Sequence, residues 1–235
     1  TGGNGADTFT ISAGNDVIAD LETNDAIVVN DSTAQVTANN VSAFVADSGT
    51  SSTGTVIINS ASGGSTITMT DATSGIFTIN GGSSGDTITG GGDADVIDGN
   101  GGDDDITGGA GDDNLTGGSG NDTFRVDSGS DTIVDLGGTS GGDSDVLIVS
   151  SGATATISNV KSFTAGGTTA NNSGTVEITT HTDGGTINMS SASGDFTLNG
   201  QGNIDTLTGG SGSDIIAGGG GADSLSGGNG DDDIS

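Results

Sequence analysis

An aspartate recurs at every ninth position along long stretches of this chain. Asp86, Asp95, Asp104, Asp113, Asp122 and Asp131 form a central run, Asp205, Asp214, Asp223 and Asp232 a second, and Asp7 and Asp16 a short third. Two residues after each central aspartate stands an apolar side chain: Ile88, Ile97, Ile106, Leu115, Phe124 and Ile133. Glycines precede them, giving the order Gly-Gly-x-Gly-x-Asp-x-apolar-x. Each carboxylate is a hard, charged oxygen donor. Glycine reaches backbone angles closed to other residues, so a loop with glycine at positions 1, 2 and 4 can turn its carbonyl oxygens inward. Oxygen donors of these two kinds, repeated in phase, suit a hard divalent cation.

Other chemistry finds little to work with. His181 is the only histidine and there is no cysteine, which leaves no zinc site and no Cys–His pair. A nucleophilic triad would rest on His181 alone, which is expected at the surface, and no Gly-x-Ser-x-Gly elbow occurs. Asp98-Gly99-Asn100 opens like an EF-hand loop, but Asp103 falls where that loop needs glycine and no glutamate closes it. Paired carboxylates could serve a glycosidase, yet their place in the nine-residue pattern accounts for them, and no aromatic sugar platform accompanies them. The expectation is a protein that is not an enzyme.

The elements that would position the aspartates are short and repetitive. Six nonads run without a gap over 81–134, four over 200–235 and two over 2–19. Some depart from the pattern: Ser84 and Asp93 replace the glycine at position 4, Asn100 the second glycine, and Ile11–Ser12 and Val126–Asp127 the glycine pair. The nonads at 11–19 and 126–134 are expected to close a roll with partial sites. A longer period lies above this one. Gly2 recurs as Gly117, Gly54 as Gly174, and Ser65 as Gly185, so the offset grows from 115 to about 120, mainly through a Gly/Ser insertion near 137–143. The chain is two copies of one unit.

Five segments follow: the end of a roll over 1–19, a β-rich spacer over 20–80, a roll over 81–134, a second spacer over 135–199, and the start of another roll over 200–235. The spacers are rich in Thr, Ser and Asn. Their β-type runs are Ala26–Val29, Thr55–Ile58, Thr66–Met69 and Phe77–Ile79, then Val146–Val149, Val176–Ile178, Ile187–Met189 and Phe196–Leu198. Ile57, Ile67 and Phe77 are ten apart, which suggests that a solenoid continues through the spacer; a small β-sandwich is the competing reading. Four nonads close the sequence and two open it. That reads as an excerpt of a longer array, as a subunit continuing head to tail, or as an arbitrary cut.

Composition sets the outer bounds. Of 235 residues, 48 are glycine and six are phenylalanine, with no Pro, Cys, Trp or Tyr. So little bulky apolar mass cannot fill an ordinary two-layer core, and the chain is either disordered or held by something else. Thirty-two acidic residues face two basic ones, a net charge of −30. Nucleic acid needs a basic footprint and is an implausible partner, as is an anionic membrane surface. No apolar stretch is long enough to span a bilayer. Two carboxylates ~4 Å apart repel by about 4 kcal/mol at an effective dielectric of 20, so a compact state needs cations between them. Without disulfides, metal is the available staple.

With twelve in-phase copies the pattern resembles the RTX (repeats-in-toxin) calcium-binding nonapeptide family. The resemblance implies an all-β fold, a parallel β-roll or β-solenoid with calcium in the turns. Two nonads would make one turn, each a six-residue loop and a three-residue strand with the apolar residue at position 8 inside. Calcium takes six to eight oxygens at 2.3–2.6 Å. In this family each ion lies between nonads two apart, which here pairs Asp86 with Asp104, Asp95 with Asp113, Asp104 with Asp122, Asp113 with Asp131, Asp205 with Asp223 and Asp214 with Asp232. The carbonyls of Gly3, Gly5, Gly82, Gly91, Gly102, Gly109, Gly111, Gly118, Gly120, Gly210, Gly212, Gly219, Gly221, Gly228 and Gly230 would complete several sites per unit. Asp7 and Asp16 would complete sites with Asp223 and Asp232 of a preceding copy. Without calcium, repulsion would leave an acidic, glycine-rich disordered chain.

The family also implies type I export and folding outside the cell. The spacers resemble those of bacterial RTX-type S-layer and giant surface proteins. A structural repeat of an extracellular filament, sheath or S-layer is therefore expected, its partners further copies of itself. A calcium-stiffened adhesin stalk, or the calcium-triggered folding tail of a secreted toxin or hydrolase, are the alternatives.

Overall fold

The computed structural model describes residues 1–137 and 143–235; the centre of the Gly/Ser insertion lies outside the described residues. No helix occurs among them. The chain divides into two compact units, Thr1–Leu115 and Thr116–Ser235.

The first unit holds β1 (Thr8–Ile11), β2 (Asn15–Ile18), β3 (Ala26–Val29), β4 (Gln35–Val41), β5 (Ala43–Val45), β6 (Ser51–Ser52), β7 (Thr55–Ser60), β8 (Thr66–Thr68), β9 (Phe77–Asn80), β10 (Thr87–Thr89), β11 (Val96–Asp98), β12 (Asp105–Thr107) and, at the division, β13 (Asn114–Thr116). They stack in three columns: β1-β3-β6, β2-β4-β7-β9-β11-β13 and β5-β8-β10-β12. The second unit repeats the plan with β14 (Thr123–Val126), β15 (Ser130–Ile133), β16 (Val146–Val149), β17 (Thr154–Val160), β18 (Ser162–Thr164), β19 (Ala170–Asn171), β20 (Thr175–Thr180), β21 (Thr186–Asn188), β22 (Thr197–Asn199), β23 (Thr206–Thr208), β24 (Ile215–Ala217), β25 (Ser224–Ser226) and β26 (Asp233–Ile234). Its columns are β14-β16-β19, β15-β17-β20-β22-β24-β26 and β18-β21-β23-β25. Each unit is thus a parallel β-solenoid.

The spacers belong to the same winding. β7 pairs in parallel with β9, and β8 with β10, so spacer strands run directly into the nonad strands. Within the nonads one turn takes 18 residues, as in Thr87↔Asp105 and Thr197↔Ile215. In the spacers it takes more: 20 for Gln35↔Thr55 and 24 for Ser162↔Thr186. The extra residues build a third side. The first column of each unit ends in a single bridge, Ser51↔Ser74 or Ala170↔Ser193, while another begins at β5 or β18. β4 turns the corner through Asn40, whose φ is +60°, and β17 does so through Asn159 at +63°. The pairing register shifts at both places. Asparagine accepts this left-handed geometry better than other side chains.

Strand alternation selects what goes inside. In the three-residue nonad strands only position 8 points inward, and Ile88, Ile97, Ile106 and Leu115 are fully buried. Register stacks Phe44, Ile67, Ile88 and Ile106 in the first unit, and Phe163, Ile187, Leu207 and Leu225 in the second. In the spacer the inward residues of β7 are Val56 and Ile58, with Ile57 only half-buried. The ten-residue rhythm read from Ile57 is therefore displaced by one position. One buried aliphatic side chain is worth about 1.5–3 kcal/mol, whereas ordering nine backbone residues costs on the order of 10 kcal/mol. Apolar burial alone does not hold a nonad; the main-chain ladder and the loops must do the rest.

Candidate metal centre

The nonad aspartates sit where the loops stack. Asp86, Asp95, Asp104, Asp113, Asp122, Asp131, Asp205 and Asp214 are all at most 3% exposed, unlike an ordinary aspartate. Their carboxylates run along the stack. The N–H of Asp86 donates to Asp104 Oδ1 at 2.7 Å, and the N–H of Asp95 to Asp113 Oδ1 at 2.7 Å. In the second unit Asp205 donates to Asp223 Oδ1 and Asp214 to Asp232 Oδ1, both at 3.0 Å. Each carboxylate thus caps the main chain one full turn earlier. These are four of the pairs expected from the family scheme.

Position 1 is glycine for want of space, and not for its backbone angle. None of Gly81, Gly90, Gly108 and Gly209 has a positive φ. A Cβ at Gly81 or Gly90 would lie 2.8 or 2.7 Å from the Oδ2 of Asp86 or Asp95 in its own loop. The conformational reading holds at positions 2 and 4 beyond the first two nonads of each roll: Gly102 and Gly109 have φ near +100°, whereas Gly82, Gly91, Gly210 and Gly212 have no positive φ. Asn100 stands at position 2 with φ +67° and bonds the carbonyl of Gly81 through Nδ2 at 3.0 Å. Two of the expected carbonyl donors face the neighbouring loop. Gly91 accepts the N–H of Ala110, and Gly210 that of Asn229, each at 3.0 Å. A carbonyl oxygen keeps a second lone pair for a cation.

Four further aspartates join these stacks. Asp25 is fully buried and accepts the N–H groups of Asp7 at 3.0 Å and Glu22 at 2.9 Å. Its counterpart Asp145 accepts those of Asp122 and Gly137. Asp20 spans two successive N–H groups, of Gly2 and Gly3, and Asp135 those of Gly117 and Gly118. One signal was available: Asp25 follows Asp7 by eighteen residues and Ile27 stands two further on, so a nonad without glycine continues in phase. Asp145 lies beyond the insertion, where the phase is lost. Asp16, by contrast, is exposed on β2. His181 is part-exposed, and its Nδ1 accepts the N–H of Asp183 at 3.0 Å.

Burial makes the charge expensive. Desolvation pushes Asp95 up to about 6, against the lowering by the N–H groups of Gly91 and Phe77, and Asp113 and Asp93 nearby add to the rise. Asp145 is raised to about 6, again mainly by burial. Asp113 and Asp214 are also raised by burial. A cation beside such a group favours its charged form.

The donor set fits calcium. Among the described residues no three Asp, Glu or His side chains gather at one point. A cation here would take most of its oxygens from loop carbonyls, with single carboxylates from stacked loops. Asp7 Oδ2 is buried with no hydrogen-bond partner, an oxygen that a cation would satisfy. When bound, calcium would supply positive charge between carboxylates that otherwise repel.

Comparison with known proteins agrees. The model of the RTX calcium-binding nonapeptide repeat matches four segments, 1–29, 78–106, 98–133 and 199–234, which together take in more than half of the chain. No curated protein and no solved structure gave a match.

Proposed function

The chain belongs to the RTX calcium-binding nonapeptide-repeat family, and from that premise we propose that it is a calcium-stabilised structural repeat of an extracellular bacterial filament, sheath or S-layer. The observation that carries this reading is the aspartate stack. It repeats every eighteen residues, so each loop is completed by the next. A site of this kind is extended by adding turns, which suits a tandem array. Two units with the same thirteen-strand plan favour the same reading. Nothing in the stack calls for catalysis, and the chain is read as non-enzymatic.

Type I export would deliver it unfolded to a medium where calcium is millimolar, the range in which extracellular modules bind. Copies would then join head to tail. Asp7, with its unpartnered Oδ2, and Asp16 would face Asp223 and Asp232 of a preceding copy. A heterologous contact of that kind propagates into open filaments.

Light scattering during a calcium titration of the EGTA-treated chain tests this. Growth to very large species, reversed by EGTA and blocked by Asp7→Ala with Asp16→Ala, is the expected result. A folded chain that stays monomeric at every calcium concentration would overturn self-assembly.

A further inference from the structure

Each roll rests on a spacer loop, Ala61–Gly64 in the first unit and His181–Gly184 in the second. The first nonad loop stacks on it. In the first unit Ser84 Oγ donates to the carbonyl oxygen of Ser62 at 3.0 Å, and Ser83 Oγ reaches the same oxygen at 3.4 Å. In the second unit Asn203 Nδ2 donates to the carbonyl of Thr182 at 2.7 Å, and Gln201 Nε2 to that of Thr180 at 2.9 Å. Ser62 and Thr182 occupy equivalent places. A hydroxyl in one copy and an amide in the other have arrived at the same acceptor, although the residues carrying them differ.

The carboxylates of these loops are engaged in the same way. Asp86 accepts Ser65 N–H at Oδ1, 2.6 Å, and Gly82 N–H at Oδ2, 2.7 Å. Asp205 accepts Gly185 N–H at Oδ1 and Gln201 N–H at Oδ2. The second nonad of each roll is tied by one further carboxylate. Asp93 Oδ2 accepts the N–H of Gly75 at 2.8 Å in the first unit, and Asp195 Oδ1 accepts that of Ser213 at 2.7 Å in the second. The direction reverses between the copies, with the acid on the roll in one and on the spacer in the other, but the joint is the same. Ser84, Asp93, Gln201 and Asn203 all have negative φ, so glycine is not required where they stand.

We infer that these two joints hold no calcium: donor side chains occupy the loop carbonyls that a cation would need, and the metal column begins one loop further on, between Asp86 and Asp104 and between Asp205 and Asp223. A side-chain hydroxyl or amide nitrogen lying against a carbonyl oxygen takes an approach that a cation would use, and at both joints it comes from position 4, which is glycine in later loops such as those of Gly102 and Gly221. The departures from the glycine pattern at Ser84, Gln201 and Asn203 are then replacements for the ion. Each spacer becomes a metal-independent platform that sets the register of the roll above it.

This rests on calcium being bound by the nonads, and one experiment separates the two claims. Crystals of the full chain grown with calcium, measured at long wavelength, show each calcium as an anomalous peak. Peaks are expected beside Asp86 and Asp104, Asp95 and Asp113, Asp205 and Asp223, and Asp214 and Asp232, with none bonded to Ser62 O or Thr182 O. A peak at either of those two carbonyls overturns the inference and leaves the nonad sites standing. A map with no peak at any loop overturns the calcium assignment, and this inference with it.

Discussion

The main-chain N–H of Asp95 points at the carboxylate of Asp113, 2.7 Å away and one complete turn later in the chain. The same side chain that is placed to hold a cation therefore also completes the main chain beneath it. In the proposed calcium site, metal binding and backbone satisfaction would share one residue.

Replacing Asp113 with alanine should remove both. An orphaned buried N–H costs about 1–3 kcal/mol, and a site at a hundredfold its dissociation constant contributes about 2.7 kcal/mol. Calorimetry should find calcium binding reduced by at least one ion, and urea melts in saturating calcium should show a loss of several kcal/mol. Full stoichiometry with unchanged stability would remove Asp113 from the metal centre.

Acidity should act in opposite senses with and without calcium. The folded-state pKa values of Asp95 and Asp145 are about 6, against an ordinary 3.8. Protons thus favour the folded state: this contribution is present in full below about pH 4 and is lost as pH rises through 6. The metal-free chain should therefore hold its fold best near pH 4 and lose it as pH rises to 7. With calcium saturating at neutral pH, acidification displaces the ion, and stability should fall in the other direction. Circular dichroism melts across that range decide it; a metal-free profile that is flat or rises with pH would contradict the desolvation argument.

Two glycine substitutions should separate space from composition. A Cβ at Gly209 would strike Asp214 Oδ2 and the carbonyl oxygen of Gly227, whereas one at Gly63 meets nothing within 4 Å. Gly209→Ala should cost about 1–3 kcal/mol, as overpacking does, and Gly63→Ala should stay within about 0.5 kcal/mol of the parent. Equal melting temperatures for the two variants in calcium would refute the steric account of position 1.

Asp25 and Asp16 make a second contrasting pair. Asp25→Ala leaves the N–H groups of Asp7 and Glu22 without their acceptor, a loss of about 2–5 kcal/mol for two such groups. Asp16 is exposed, and Asp16→Ala should be nearly silent in the stability of the isolated chain. Urea denaturation of both variants in calcium measures this directly, and the reverse order would mean that the stack continues through Asp16 and not through Asp25.

The nonads were legible because their constraint is local and repeated. An aspartate and an apolar residue recur at fixed places in nine, and the two nonads per turn that the family resemblance implies match the eighteen-residue turn that pairs Ile88 with Ile106. The spacers were legible only in part. Ala26–Val29 and Val146–Val149 stand out as β-branched or aliphatic runs and are strands. β4 and β17 do not, because their corner asparagines interrupt the alternation. Nor did the residues around Ser84 and Asn203 declare themselves. A pattern defined by glycine marks a polar side chain there as a defect, and only the stacked carbonyl opposite shows what the side chain is for. Asp25 was hidden for the same reason, since its nonad keeps the ligand position and has lost every glycine.

Turns of 18 residues in the nonads and of up to 24 in the spacers occur in these units, yet each adds one strand to a column. Neighbouring strands lie about 4.7–4.9 Å apart whatever the chain does between them. Within a unit, the advance along the axis is counted in turns, and residues added to a turn widen its outline without lengthening it. Insertions and deletions in the spacer loops can therefore accumulate as changes of girth, while the rise of a unit along its own axis stays constant.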